Sequence, residues 1–132
     1  MKPRSGLIIL ALLLISCIHR NLQLPESPLL DSQATKVNII RENRFFGFGL
    51  PLTVWFDEAV LCKLRAGEYV TFKADPGFHT LGLSASTITS SFVPNRVYYF
   101  LIKMSSDNYG FEIERIDDTM GNRLISRSEG IE

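Results

Sequence analysis

From Lys36 onward, hydrophobic and polar residues alternate in short runs, and turn residues separate the runs at intervals of roughly 8–12 positions. Val37, Ile39 and Ile40 open the series. Thr53-Val54-Trp55-Phe56 is β-branched and aromatic, and it stops at Asp57-Glu58. Ala59 to Leu64 follows, up to the turn Arg65-Ala66-Gly67. Glu68-Tyr69-Val70-Thr71-Phe72-Lys73 keeps the strict alternation of a half-buried strand. Asp75-Pro76-Gly77 ends it, because Pro pre-sets φ for a turn and Gly supplies a positive φ. Phe78 to Leu83 and the weaker run Ile88 to Val93 are two further strands, closed by Pro94-Asn95. Arg96 to Met104 holds the longest apolar run of the series, and Ser105-Ser106-Asp107-Asn108-Tyr109-Gly110 turns it into Phe111 to Arg115.

Many short strands with regular turns predict an all-β fold, a small antiparallel β-sandwich of about seven to eight strands. Beyond residue 35 a helical period is seen only in Asp117 to Ser126, where Leu124 and Ile125 are the large aliphatics. That segment is the one candidate for a short C-terminal helix, and residues 127–132 are expected to fray.

The N-terminal region follows a different pattern. Leu7 to Ile15 is uncharged and apolar, preceded by the basic head Met1-Lys2-Pro3-Arg4. At ~1.5 Å per residue this run spans roughly half of a ~30 Å hydrocarbon core. It is too short for a transmembrane helix and has the length of a signal-peptide core, which predicts an N-terminal signal helix. Leu14-Ile15-Ser16-Cys17 then resembles the signal of bacterial lipoproteins: Leu, an aliphatic residue, a small residue, and Cys. The resemblance implies cleavage between Ser16 and Cys17 and acylation of the Cys17 thiol. Membrane lipid and the lipoprotein-processing and sorting machinery would then be partners. An ordinary secretory signal with an incidental Cys17, or an uncut anchor, is the competing reading. The expected organisation is a signal peptide at 1–16, an acylated tether at 17–34, a β-domain at 35–118 and a C-terminal tail at 119–132. Pro25 and Pro28 within mixed polarity argue against a regular element in the tether.

Lys and Arg together number 14, as do Asp and Glu; losing Lys2 and Arg4 with the signal leaves 12 basic against 14 acidic residues. Nothing in this balance points to nucleic acid. The two cysteines are Cys17 and Cys62. With Cys17 acylated, Cys62 has no disulfide partner, and its place between Leu61 and Leu64 predicts a buried, inert thiol.

The order of the turn motifs is similar to that of a family of small bacterial lipoproteins, the DUF2846 family, a domain of unknown function. The resemblance rests on Val37-Asn38-Ile39-Ile40-Arg41, the loop Phe45-Phe46-Gly47-Phe48-Gly49, Val54-Trp55-Phe56-Asp57, Leu64-Arg65-Ala66-Gly67-Glu68-Tyr69, Pro76-Gly77-Phe78-His79 and Val97-Tyr98-Tyr99-Phe100. It spans roughly residues 36–115. Asp57-Glu58 stands where that pattern has Asp-Gly, and Cys62 where Gly is common. The resemblance implies a β-sandwich and a surface lipoprotein, with no assigned activity.

Asp57, Asp75, His79, Ser84, Ser86 and Arg41 are the polar candidates for chemistry. No Gly-x-Ser-x-Gly elbow accompanies them, so a hydrolase triad has no sequence context. His79, in register with Leu81 and Leu83, is expected to be a hydrogen-bonded strand residue. His19 and His79 lie too far apart for a His-x-x-x-His ligand pair, so no metal or other cofactor is expected. Tyr69, Tyr98 and Tyr99 could line a ligand, although alternation sends Tyr98 and Tyr99 to opposite faces. Phe45, Phe46 and Phe48 sit in a Gly-punctuated connection more apolar than a loop needs to be. They either plug the sandwich end or form a patch for a partner.

The sequence thus predicts a lipid-anchored, non-catalytic binding or structural module of the cell envelope. Ile18, not Asp, follows Cys17, which favours the outer membrane, facing the periplasm, in an organism that has one. Two alternatives are an accessory lipoprotein of a secretion or envelope machine, and an enzyme whose site has no recognisable motif.

Overall fold

Alternation on this scale buries one side of each strand, and two sheets facing each other satisfy all of them at once. The computed structural model describes residues 33–44, 50–107 and 109–131. In chain order the strands are β1 (Thr35–Arg41), β2 (Leu52–Phe56), β3 (Ala59–Leu64), β4 (Glu68–Ala74), β5 (Gly77–Gly82), β6 (Thr87–Phe92), β7 (Val97–Met104) and β8 (Phe111–Ile116). A helix, α1 (Asp118–Ile125), and a two-residue strand, β9 (Glu129–Gly130), follow.

One sheet has the order β8-β7-β1-β4-β9 and the other β3-β2-β5-β6, so the fold is the expected sandwich. The second sheet is antiparallel throughout. The first is mixed: β1 runs parallel to β7 and β4 parallel to β9, beside antiparallel β1–β4 and β7–β8 pairs. β1 therefore sits between two long strands, and six of its seven residues are buried.

The facing sides supply the core. Val37 and Ile39 from β1, Val70 and Phe72 from β4 and Phe100 and Ile102 from β7 meet Val54 and Phe56 from β2, Leu64 from β3 and Leu81 from β5. Burying an aliphatic or aromatic side chain of this size contributes roughly 1.5–3 kcal/mol.

The outer side of the first sheet is covered by α1, which packs on β7 and β1. Asp117 caps the helix by accepting a hydrogen bond from the Met120 N–H at 2.8 Å. Mid-helix Gly121 lies so close to the sheet that a Cβ there would stand 2.3 Å from the Tyr99 ring, and the Tyr99 hydroxyl donates to Asn122 Oδ1 at 2.9 Å. Tyr99 is thus buried on the outer side, while Tyr98 joins the core, as alternation requires.

The C-terminal region differs from expectation. Far from fraying as a tail, the chain after α1 turns back onto the domain. The Glu129 N–H donates to the Gly67 carbonyl at 2.9 Å, and the Ile131 N–H to the Tyr69 carbonyl at 3.0 Å. The open edge of β4 provides the binding groups, and a two-residue strand is too short to show period-two alternation.

Candidate functional site

His79 is a polar side chain engaged at both ring faces and both ring nitrogens. β5 points it inward with Leu81, and its ring stacks on Phe56 (centroids 5.0 Å apart) and on Phe92 (5.1 Å). The column extends past Phe56 to an edge-on Phe72 at 5.1 Å, and past Phe92 to Tyr98 at 4.8 Å. Arg115 closes that end, its guanidinium 4.6 Å from the Tyr98 centroid. An imidazole within an aromatic column carries two polar atoms, and each needs a partner.

Both partners come from turns. Nδ1 lies 2.5 Å from Asp57 Oδ2, and Nε2 lies 2.7 Å from the Asp75 main-chain oxygen. A carboxylate and a carbonyl only accept, so each ring nitrogen is set against an acceptor. Asp57 is held in turn by β5: its Oδ1 accepts from the Thr80 N–H at 2.9 Å, and its own N–H donates to the Thr80 carbonyl at 2.8 Å.

That docking fixes the β2–β3 hairpin. Asp57 (φ +48°) and Glu58 (φ +69°) both occupy the left-handed region, the geometry of a two-residue primed turn. Asn-Gly or Asp-Gly is the usual solution, so the departure at Glu58 leaves a non-glycine residue in a disfavoured conformation. The grip of His79 and Thr80 on Asp57 offsets this. Within the same hairpin, β3 is shifted by a bulge opposite Val54 and Trp55.

The structure brings Asp57, Asp75 and His79 together. Ser84, Ser86 and Arg41 are not among their partners. Ser84 is exposed, and Ser86 Oγ accepts from the Ile113 N–H at 3.3 Å. Ser90 is the cross-strand neighbour of His79. Neither ring nitrogen is directed at it, however, because both are engaged at the turns. A general base needs a ring nitrogen within reach of the proton it removes. The arrangement is that of a clamp joining two turns.

A second buried polar group lies at the end of β1. Arg41 is 1 % exposed, and its Nη1 donates to the Leu50 carbonyl at 2.8 Å and the Leu64 carbonyl at 2.6 Å. Its guanidinium stands 5.0 Å from the Phe111 centroid. Burial lowers the Arg41 pKa from its ordinary value, and the nearby Glu68 carboxylate works the other way. Glu68 Oε2 also accepts from the Arg65 N–H at 2.7 Å, which ties the β3–β4 turn. Sequence reading found neither Glu68 nor the depth of Arg41, since charges at strand ends normally reach solvent.

Cys62 is buried on β3 and unpaired among the described residues. Burial, with a smaller contribution from Glu68, pushes its thiol up to about 12. The three tyrosines do not share one face: Tyr98 is in the core, whereas Tyr99, under α1, and Tyr69, beside Gly130, lie on the outer side of the first sheet. An open cleft of about 670 Å³ beside the start of α1 is lined by Val97, Tyr98, Tyr99, Arg115, Asp117 and Thr119 among others. Two of its polar groups are committed, Asp117 to the helix cap and Arg115 to the Tyr98 ring.

Comparison with protein-family models, with curated proteins and with solved structures finds no significant match. The attachment residues Ser16 and Cys17 and the loop residues Phe45, Phe46 and Phe48 lie outside the described residues. Of that loop's neighbours, Arg44 and Leu50 are exposed. Among the described residues, no group of three or more His, Cys, Asp or Glu side chains is placed to hold a metal ion.

Proposed function

We propose that this chain is a bacterial lipoprotein, anchored through an acylated Cys17, that displays its β-sandwich as a non-catalytic binding or structural module in the cell envelope. The observation that carries this reading is the basic head, short apolar run and Leu14-Ile15-Ser16-Cys17 in sequence order. Each acyl chain contributes about 0.8 kcal/mol per buried CH₂, and more than one chain anchors stably. Residues 18–34 have a contour length of at most about 60 Å, enough to hold the domain clear of a bilayer surface.

The architecture supports the non-catalytic half of the reading. The histidine that could act as a base is clamped at both nitrogens, and the buried arginine is spent on main-chain carbonyls. Kinship with the DUF2846 family belongs to the same proposal and rests on the turn motifs. Ile18 after Cys17 favours the outer membrane of an organism that has one, with the domain facing the periplasm.

The test is metabolic labelling with an alkyne palmitate analogue in a bacterial host. The full chain should take up label and enter the detergent phase on phase separation. Cys17→Ser should do neither while the protein is still made. Equal labelling of the two proteins would overturn the proposal. Density-gradient separation of the membranes then reads the destination directly.

A further inference from the structure

The four strand edges of the sandwich are not equally defended. An exposed edge offers unpaired N–H and C=O groups, and proteins normally guard it with charges, bulges or very short strands. β8 carries Glu112, Glu114 and Arg115, and its Ile113 N–H is taken by Ser86. β3 carries Lys63 and is shifted by the bulge. β9 is two residues long. β6 reads Thr-Ile-Thr-Ser-Ser-Phe, with no charge, no proline and no bulge in its ladder with β5. Among the described residues nothing pairs with its other side.

The groups that β6 presents follow from β5. Thr80 spends both its N–H and its carbonyl on Asp57, toward β2, so it exchanges no bonds with its cross-strand partner Thr89. The N–H and carbonyl of Thr89 therefore point outward, and by alternation so do those of Thr87 and Ser91. All three residues are exposed.

We propose that β6 is a homodimer edge, pairing antiparallel with β6 of a second copy about a two-fold axis at Thr89. This set of groups is self-complementary. Thr89 faces Thr89 of the second copy, Thr87 faces Ser91, and Ser91 faces Thr87. Each pair exchanges two backbone hydrogen bonds, and the interface is isologous, as a two-fold requires. No like charges meet on the axis, because β6 carries none. Phe78, 79 % exposed and cross-strand from Ser91, then faces Thr87 of the second copy across one small residue. The two four-stranded sheets become one continuous sheet.

Cysteine scanning of the full chain in cells that produce it tests both the pairing and its register. Directly opposed residues in such a pair have Cα atoms about 5.5 Å apart, within disulfide reach. Oxidation with copper phenanthroline should link Thr89→Cys into a dimer of twice the chain mass. Ser91→Cys stands four residues from its own copy, about 14 Å, and should not link. Wild type supplies the background from Cys17 and Cys62. Thr89→Lys should keep the wild-type circular dichroism spectrum and sediment as a monomer where detergent-solubilised wild type sediments as a dimer. A monomeric wild type, equal linking of Ser91→Cys and Thr89→Cys, a product of another mass, or a dimer that survives Thr89→Lys would each overturn the proposal.

Discussion

Gly121→Ala sets two well-known effects against each other. In an exposed helix interior the change would stabilise by about 1 kcal/mol, because Gly is among the poorest helix formers. Here the new Cβ would lie 2.3 Å from Cγ and Cδ1 of Tyr99 and 2.8 Å from its Cβ. Ordinary carbon contacts need about 3.5 Å, so α1 must back away by roughly 1 Å or the ring must swing. Overpacking of this kind costs about 1–3 kcal/mol, and retreat also strains the Tyr99–Asn122 hydrogen bond, worth about 1 kcal/mol. The losses exceed the gain, for a net destabilisation of about 2 kcal/mol. In a domain of this size that lowers Tm by about 8–16 °C. Thermal and urea unfolding of the full chain, followed by circular dichroism, measures it. In a Tyr99→Ala background the ring atoms at 2.3 Å are gone and only the Cβ contact at 2.8 Å remains, so the same Gly121→Ala change should cost clearly less. A stabilised Gly121→Ala single variant, or a coupling to Tyr99 below about 0.5 kcal/mol, would refute the argument.

Glu58→Gly should stabilise the domain by about 0.5–1 kcal/mol, since Gly accepts the φ of +69° without the side-chain penalty; a lower urea midpoint would contradict this. His79→Phe keeps a ring between Phe56 and Phe92 but loses both hydrogen bonds, and should cost about 1–3 kcal/mol; His79→Ala adds a cavity and should cost more, as denaturant titration of the pair would read. Cys62, with its thiol raised from 9.0 to about 12, should alkylate with iodoacetamide at pH 8 roughly a thousand times more slowly in the folded protein than in urea. The unfolded thiol loses its proton near 9 while the folded one keeps it to about 12, so this group lowers stability as pH rises between those values. Cys62→Ala should flatten that part of the stability profile.

The sandwich was legible because its signal is local. Turns such as Asp75-Pro76-Gly77 and Arg65-Ala66-Gly67 declare themselves in three residues, and Gly67 and Gly77 do take positive φ values of 78° and 118°. The alternation of β4 gives its inward side without ambiguity. Pairing across the chain has no such signal. The parallel β1–β7 pair joins residues some sixty positions apart, and nothing in either strand states its partner or direction. The place of α1 was read from weak periodicity, whereas its anchor is the absence of a side chain at Gly121. The His79 site was half legible. Its strand setting follows from Leu81 and Leu83, but its partner Asp57 lies 22 residues away and arrives only because the β2–β3 turn folds against β5. Arg41 was illegible for the opposite reason: its burial depends on main-chain carbonyls that carry no sequence signature.

The position of β1 also decides how the domain bears load. Tension along the chain from the N-terminal side enters at Thr35, the first residue of β1. That strand is laced to β4 over Thr35–Ile40 on one side and to β7 over Lys36–Arg41 on the other. The pull runs along the strand, across the hydrogen bonds of both ladders, so they are sheared together. A strand at a sheet border could be peeled one bond after another. A domain pulled from its N-terminal side is thus gripped at an interior strand, where the bonds of two ladders must break together before the sandwich yields.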